Sequence, residues 1–187
     1  MDNKELKQYF DLNCKPSASE RSGQKLGPEY ECLVLIPDRK DASGQSYRPL
    51  GMDEQEGVPG VLRRFQEIGA MRGEVWEGKF EGENLIGLQN QEGASITIEP
   101  GGQIELSDQP MDHLSQVETS IRNFVRDLKE SIRSIHGRLL FLGAQPLFDL
   151  DAIALSPKKR YRIMYRHMPE VGSCLLYTSP SPRDNTT

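Results

Sequence analysis

Apolar and polar side chains alternate over Ala94-Ser95-Ile96-Thr97-Ile98-Glu99 and again over Gln103-Ile104-Glu105-Leu106-Ser107. Successive strand side chains point to opposite faces, so the pattern predicts two strands. Ile96, Ile98, Ile104 and Leu106 share one face; Ser95, Thr97, Glu99, Gln103, Glu105 and Ser107 share the other. Pro100-Gly101-Gly102 supplies the fixed φ and the permissive residues of a tight turn between them. The same period runs through residues 29–36, with Glu29, Glu31, Leu33 and Leu35 on one face and Tyr30, Cys32, Val34 and Ile36 on the other. Beyond Glu31 that run is almost wholly apolar, which predicts a central strand covered on both sides. Short apolar runs at residues 74–77 and 85–88, split by Gly82, and a Gln91-Glu92-Gly93 turn complete a strand meander.

Helical spacing appears elsewhere. Val61, Leu62, Phe65 and Ile68 line one face of a predicted helix over 57–68, with Pro59 in its first turn, Gly69 at its end, and Arg63 and Arg64 as solvated charges. The longest predicted helix covers 112–136, capped by Asp112 and stopped by Gly137. Leu114, Val117, Ile121, Phe124, Leu128, Ile132 and Ile135 form its stripe, and His113 and His136 sit at its ends. This stripe is expected to cover the apolar side of the sheet and leave Glu99 and Glu105 on an open side; a coiled-coil dimer is the rival use for it. Leu139-Leu140-Phe141-Leu142-Gly143 reads as a buried strand, residues 158–167 as a basic helix begun by Pro157, residues 3–10 as a short helix, and residues 15–27 and 37–56 as loops, the latter with room for a short hairpin. The fold class expected is α+β, an antiparallel sheet with helices packed on one face.

The polar face of the hairpin is the candidate for chemistry. Two carboxylates, Glu99 and Glu105, and the Gln103 carboxamide converge there, and Mg²⁺ takes one or two carboxylates with waters and substrate phosphates. A solvated outer face is the alternative. Glu29 and Glu31 stand at the mouth of a strand that soon becomes buried, where a cation would offset their desolvation; a wet strand end is the other reading. Lys158, Lys159, Arg160, Arg162 and Arg166 suit either a phosphate or carboxylate site or a solvated basic face. Trp76 reads as a core anchor.

Composition narrows the classes. A length of 187 residues with 36% hydrophobic content permits one domain with a sizeable core. A net charge of -5 and the absence of a nucleic-acid motif argue against nucleic-acid binding. No run is long and apolar enough to span a membrane, and the N-terminus has no signal-peptide core, so a cytoplasmic location is the default expectation. Cys14, Cys32 and Cys174 have no zinc or disulfide spacing, and mid-strand Cys32 reads as a buried, inert thiol. No Walker-type glycine loop occurs.

Three segments carry a resemblance. Glu99-Pro100-Gly101-Gly102-Gln103-Ile104-Glu105-Leu106-Ser107 resembles the signature of plant-type glutamate-cysteine ligases, a carboxylate-amine ligase family with a glutamine-synthetase-like fold. Gly27-Pro28-Glu29-Tyr30-Glu31 is similar to its G-x-E-x-E segment. Tyr161-Arg162-Ile163-Met164 with Met168-Pro169-Glu170-Val171-Gly172 resembles its R-Y-x-x-M and M-P-x-x-G pair, although Lys159 stands where the family tends to have glycine. The resemblance implies a partial glutamine-synthetase-like fold and ATP-dependent joining of the glutamate side-chain carboxyl to the cysteine amine through an acyl phosphate, the first step of glutathione synthesis. It implies Glu29, Glu31, Glu99 and Glu105 as Mg²⁺ ligands, with Glu99 and Glu105 also catalytic. Gln103, Arg160, Tyr161 and Met164 are the implied substrate-binding residues. The implied small-molecule partners are glutamate, cysteine and ATP.

The run from Cys174 through Leu175-Leu176-Tyr177-Thr178-Ser179 to Asp184 resembles the translation of a sequencing adapter. The expected organisation is thus an N-terminal helix and lead-in over 1–26, a truncated catalytic domain over 27–173, and an adapter-derived or disordered tail over 174–187; such a fragment is expected to be inactive alone. Two alternatives stand beside this reading: a carboxylate-amine ligase with another amine acceptor, and a non-enzymatic metal- or anion-binding remnant.

Overall fold

The computed structural model describes Lys4, Glu5 and Lys7 and residues 25–38, 46–53, 55–142, 147–149 and 152–171. Among these, seven strands form one antiparallel sheet: β1 (Glu29–Pro37), β2 (Tyr47–Pro49), β3 (Trp76–Glu81), β4 (Asn84–Asn90), β5 (Ser95–Ile98), β6 (Ile104–Ser107) and β7 (Arg138–Leu140). The helices are α1 (Val58–Met71), α2 (Leu114–Ser131) and α3 (Lys159–Val171). The strand order is β2-β1-β6-β5-β4-β3, with β7 also on β1. The expected α+β class is therefore observed, as an open sheet.

β1 organises the sheet. Its first half, Glu29 to Cys32, pairs with β6, and its second half pairs with both β7 and β2. Cys32, Leu33, Val34 and Leu35 are all buried, as a strand covered on both faces requires. Burial pushes the Cys32 thiol up to about 12, with a smaller push from Glu31, so it is the inert thiol the sequence predicts. At the β5–β6 turn the Glu99 N–H donates to the Gln103 carbonyl at 2.8 Å, and Gly102 takes a φ of +83°, a conformation that favours glycine.

The core lies between the sheet and α1 with α2. Leu88, Ile96, Ile98, Ile104 and Leu106 meet Val61, Leu62 and Phe65 of α1 and Phe124, Leu128 and the following Ile132. Phe65 joins these layers, its ring 5.6 Å from Trp76 and 6.0 Å from Phe124. Trp76 is thus a core anchor. Leu88 has no exposed surface in the second strand from the edge. Leu88→Ala is expected to cost about 2–5 kcal/mol, read as a lower denaturant midpoint at unchanged slope.

Several expectations are corrected. α1 does not end at Gly69 but runs to Met71, and Gly73, at φ +81°, follows it. Gly69 is needed inside the helix because the Trp76 indole rests on it; a Cβ there would fall 2.8 Å from Trp76 Cδ1. Arg64 is not simply solvated: its Nε donates to the Ser131 carbonyl at 2.7 Å and ties α1 to α2. A second tie is the buried Asp127 carboxylate, paired with Arg72 and with Arg126. α2 begins at Leu114 rather than Asp112, because Gln116 Oε1 accepts from both the Asp112 and His113 N–H groups, while the Asp112 carboxylate faces Lys25. It gives way after Ser131 to a short 3₁₀ turn, Arg133–Ile135. Only the second half of its stripe is buried; Leu114 is 75% exposed. That half packs on α1 within the chain, the use expected over a coiled coil.

β3 starts at Trp76, and exposed Val75 lies outside it. β7 is short and half-buried, and Phe141 and Leu142 are exposed rather than strand core. The basic helix begins at Lys159 and extends to Val171. The loop expected over 37–56 contains the short hairpin partner β2. Most of the expected 3–10 helix, most of the lead-in, Gly143 and the 174–187 tail lie outside the described residues. Among the described residues no helix is long and apolar enough to cross a membrane.

Candidate functional site

Antiparallel register sets the polar face of the sheet. Glu31 of β1 pairs with Glu105 of β6, which pairs with Thr97 of β5; one step along, Glu29 pairs with Ser107 and Ser107 with Ser95. The two expected carboxylate sources, strand β1 and the hairpin, therefore meet side by side. Glu99 lies just past the end of β5, and its Oε1 accepts from Thr97 Oγ1 at 3.0 Å.

This face is not open, contrary to expectation: Glu99 is 6% and Glu105 7% exposed. The chain leading into α3 docks on the hairpin. Ser156 N–H donates to the Pro100 carbonyl at 2.8 Å, Lys159 N–H to Glu81 Oε1 at 3.2 Å, and the Tyr161 hydroxyl to Glu99 Oε2 at 2.8 Å. Arg160 donates to the Tyr161 hydroxyl at 2.6 Å and stands 3.7 Å from Glu99 Oε1. Lys158 is buried, its Nζ 4.0 Å from the same oxygen. Between this segment and the sheet lies a cleft of about 410 Å³, with Glu105, Thr97 and Ser95 on the sheet side and Lys79, Lys158 and Arg160 as its cations. A larger cleft, about 650 Å³, lies against α2 and the β4–β5 turn and holds none of these groups.

The carboxylates interact unfavourably. Burial, then the Glu99 charge, pushes Glu105 up to about 7; Glu29 and Glu31 add to the rise and the 3.1 Å hydrogen bond from Ser107 opposes it. Glu31 keeps exposed surface, but the burial it has and then Glu99 raise its pKa as well. Burial lowers Lys158 to about 8 against the pull of Glu99. Burial also raises the Tyr161 phenol, leaving it a hydrogen-bond donor throughout the ordinary pH range.

These facts bear on a cation. Among the described residues no three His, Cys, Asp or Glu side chains form a group able to hold a metal ion. Adjacent Glu31 and Glu105 nevertheless suit an ion such as Mg²⁺, which needs only one or two carboxylates when water and phosphate complete its shell. The raised pKa of Glu105 marks a site where added positive charge would be stabilising. Both Glu99 oxygens already accept hydrogen bonds from protein donors.

Of the residues singled out in sequence, Glu105 and Arg160 line the smaller cleft. Tyr161 is beside it through Glu99, and Met164 lies one turn further along α3, half-buried and outside the lining. Gln103 braces the turn instead, its Oε1 accepting from the Gly101 N–H at 2.9 Å. Two lysines were not individually legible. Lys79 sits in a strand without distinctive pattern, and Lys158, just after Pro157, is in sequence one of five basic residues that suit an anion site or a solvated face alike.

Residues 25–177 match Glutamate-cysteine ligase family 2 (GCS2). The chain is 32% identical over 173 residues to the chloroplastic glutamate-cysteine ligase of Nicotiana tabacum, covering 90% of this chain and 28% of that protein. It is 35% identical over 129 residues to that of Medicago truncatula, covering 68% and 23%. With glutamate-cysteine ligase B of Oryza sativa subsp. japonica the identity is 32% over 170 residues, covering 90% and 30%. The chain thus spans less than a third of the length of these curated relatives. Their names place them in chloroplasts and lend no support to a cytoplasmic location. With its carboxylate-bearing hairpin inside the matched region, the chain belongs to glutamate-cysteine ligase family 2.

Proposed function

We propose that this site serves ATP-dependent joining of glutamate to cysteine, the reaction that begins glutathione synthesis. The observation that carries the reading is the meeting, in one cleft, of Glu105, which pairs with Glu31 on the neighbouring strand, with three cations: Lys79 from β3 of the same sheet, and Lys158 and Arg160 from the segment that covers it. A carboxylate is a poor electrophile. In the proposed reaction a side-chain carboxylate oxygen of glutamate attacks the terminal phosphorus of ATP and ADP departs, leaving an acyl phosphate. The cysteine amine then attacks the acyl carbon, phosphate leaves, and the amine proton passes to solvent.

Both steps bring anions together, so charge control dominates. Arg160 offers a planar fork for carboxylate or phosphate, and Lys79 a point charge. Glu31 and Glu105 would hold Mg²⁺, which when bound neutralises phosphate charge and polarises its oxygens. The test is direct. The protein expressed from its full gene, given glutamate, cysteine, ATP and Mg²⁺, is expected to release ADP and γ-glutamylcysteine in equal amounts. ADP release that follows another amine but not cysteine would replace the acceptor; no amine-dependent ADP release would overturn the reading.

A further inference from the structure

We propose that Lys158 is a positioning residue: its buried ammonium fixes the Glu99 carboxylate and, through it, sets the Tyr161 hydroxyl and the Arg160 guanidinium over the carboxylate face. Lysine is almost never buried without compensation. Here the side chain is 7% exposed, its Nζ lies 4.0 Å from Glu99 Oε1 and 5.4 Å from the Tyr161 ring centroid, and the Glu99 side chain is only 8% exposed. Around Glu99 the contacts divide by origin. Thr97 reaches it from within the hairpin, whereas Lys158, Arg160 and Tyr161 all reach it from the segment entering α3. Glu99 is therefore where that segment is fastened to the sheet.

Among the fastenings Lys158 is distinctive. Arg160 is half exposed, so water screens it, and it also stacks on the Tyr161 ring, 4.7 Å from its centroid. The Ser156 and Lys159 contacts are backbone donations that any side chain at those positions would allow. Removing the lysine leaves a buried carboxylate with no buried cation beside it, and relief comes by letting water in, which means lifting the segment. Lys158 thus acts through Glu99, and no contact with substrate is required of it.

The test uses this chain, with far-UV circular dichroism as the check on folding. Lys158→Met preserves length and removes charge; Lys158→Arg preserves charge. Trypsin cutting after Arg160 requires local opening of the segment. Lys158→Met and Glu99→Gln are each expected to speed that cut about tenfold, the double variant no further, and Lys158→Arg to stay within about threefold of the parent. A parental rate for Lys158→Met, multiplying effects in the double variant, or no recovery with Lys158→Arg would overturn the proposal. Should Lys158→Met lose its fold, Tyr161→Phe takes its place: faster cutting after Arg160 supports the fastening at Glu99, and a parental rate overturns it. A second arm rests on the ligase reading. In the protein from the full gene, Lys158→Met is expected to lower γ-glutamylcysteine formation at least about tenfold and Lys158→Arg to restore it. Inactivity of the parent protein would count against the ligase reading alone, because the trypsin result does not depend on it.

Discussion

Glu105→Gln is expected to make the metal-free chain more stable above pH 7 while lowering ligation in the protein from the full gene by about a hundredfold or more. Both effects have one origin. The Glu105 carboxyl is held up to about 7 by burial and by Glu99, Glu29 and Glu31, whereas in the unfolded chain it titrates near 4.5. Between those values the folded state binds more protons than the unfolded one, so stability falls as pH rises through the window. Below pH 4.5 both states are protonated and the contribution is fully present; above 7 it is gone. At one unit per 1.36 kcal/mol the upper bound is about 3 kcal/mol, and about 1–2 kcal/mol is a fair expectation after relaxation. Glutamine has the same shape, keeps an oxygen for the Ser107 hydroxyl, and carries no charge. Denaturant melts at pH 5 and pH 8 should therefore show a reduced pH slope in the variant, with Glu31 supplying part of what remains in the same direction. Mg²⁺ should raise the melting temperature of the parent more at pH 8 than at pH 5 and that of the variant little at either. A variant less stable than the parent at pH 8 would mean that Glu105 is not strained by its neighbours.

Strand register was legible because period-2 alternation states which side chains share a face: Ile96, Ile98, Ile104 and Leu106 went to the core, and Thr97, Glu105 and Glu31 to the other side. What lies over a face is not written in its period. The segment that covers Glu99 follows Pro157 and has too few residues for periodicity, so the burial of Lys158 had no signal apart from its neighbourhood to a family-like motif. Helix ends failed for a similar reason. Gly69 resembles a stop signal locally, and only the indole of Trp76, seven residues on, explains a glycine inside α1. The spacing along α2 identifies the residues that face the core, but Leu114 is exposed and Val117 and Ile121 are only half-buried, because amphipathic spacing does not say where the partner surface ends.

Gly87→Ala is expected to destabilise the chain by about 2–4 kcal/mol, lowering the melting temperature by about 5–15 °C. Two effects compete here. Replacing glycine narrows the unfolded ensemble and by itself stabilises by about 0.4–1 kcal/mol. Against that, a Cβ on Gly87 would fall 2.5 Å from the Ile96 carbonyl oxygen and 3.5 Å from Thr97 Cα, both backbone atoms of the neighbouring strand. Flexible side chains yield cheaply, but a paired strand does not, so the clash should win. The consequence reaches the site because Gly87 belongs to a row across five strands: it pairs with Lys79 on one side and Thr97 on the other, Thr97 with Glu105, and Glu105 with Glu31. Pushing β5 away moves the Thr97 hydroxyl that holds Glu99 and the neighbour that sets the position of Glu105. Thr97→Ala, by contrast, removes the hydroxyl and leaves the strand in place, with a cost of about 1 kcal/mol. The pair of variants separates strand geometry from hydrogen bonding. A Gly87→Ala protein that melts at or above the parental temperature would show that β4 and β5 are not packed this closely, and the carboxylate row would then need another account of its spacing.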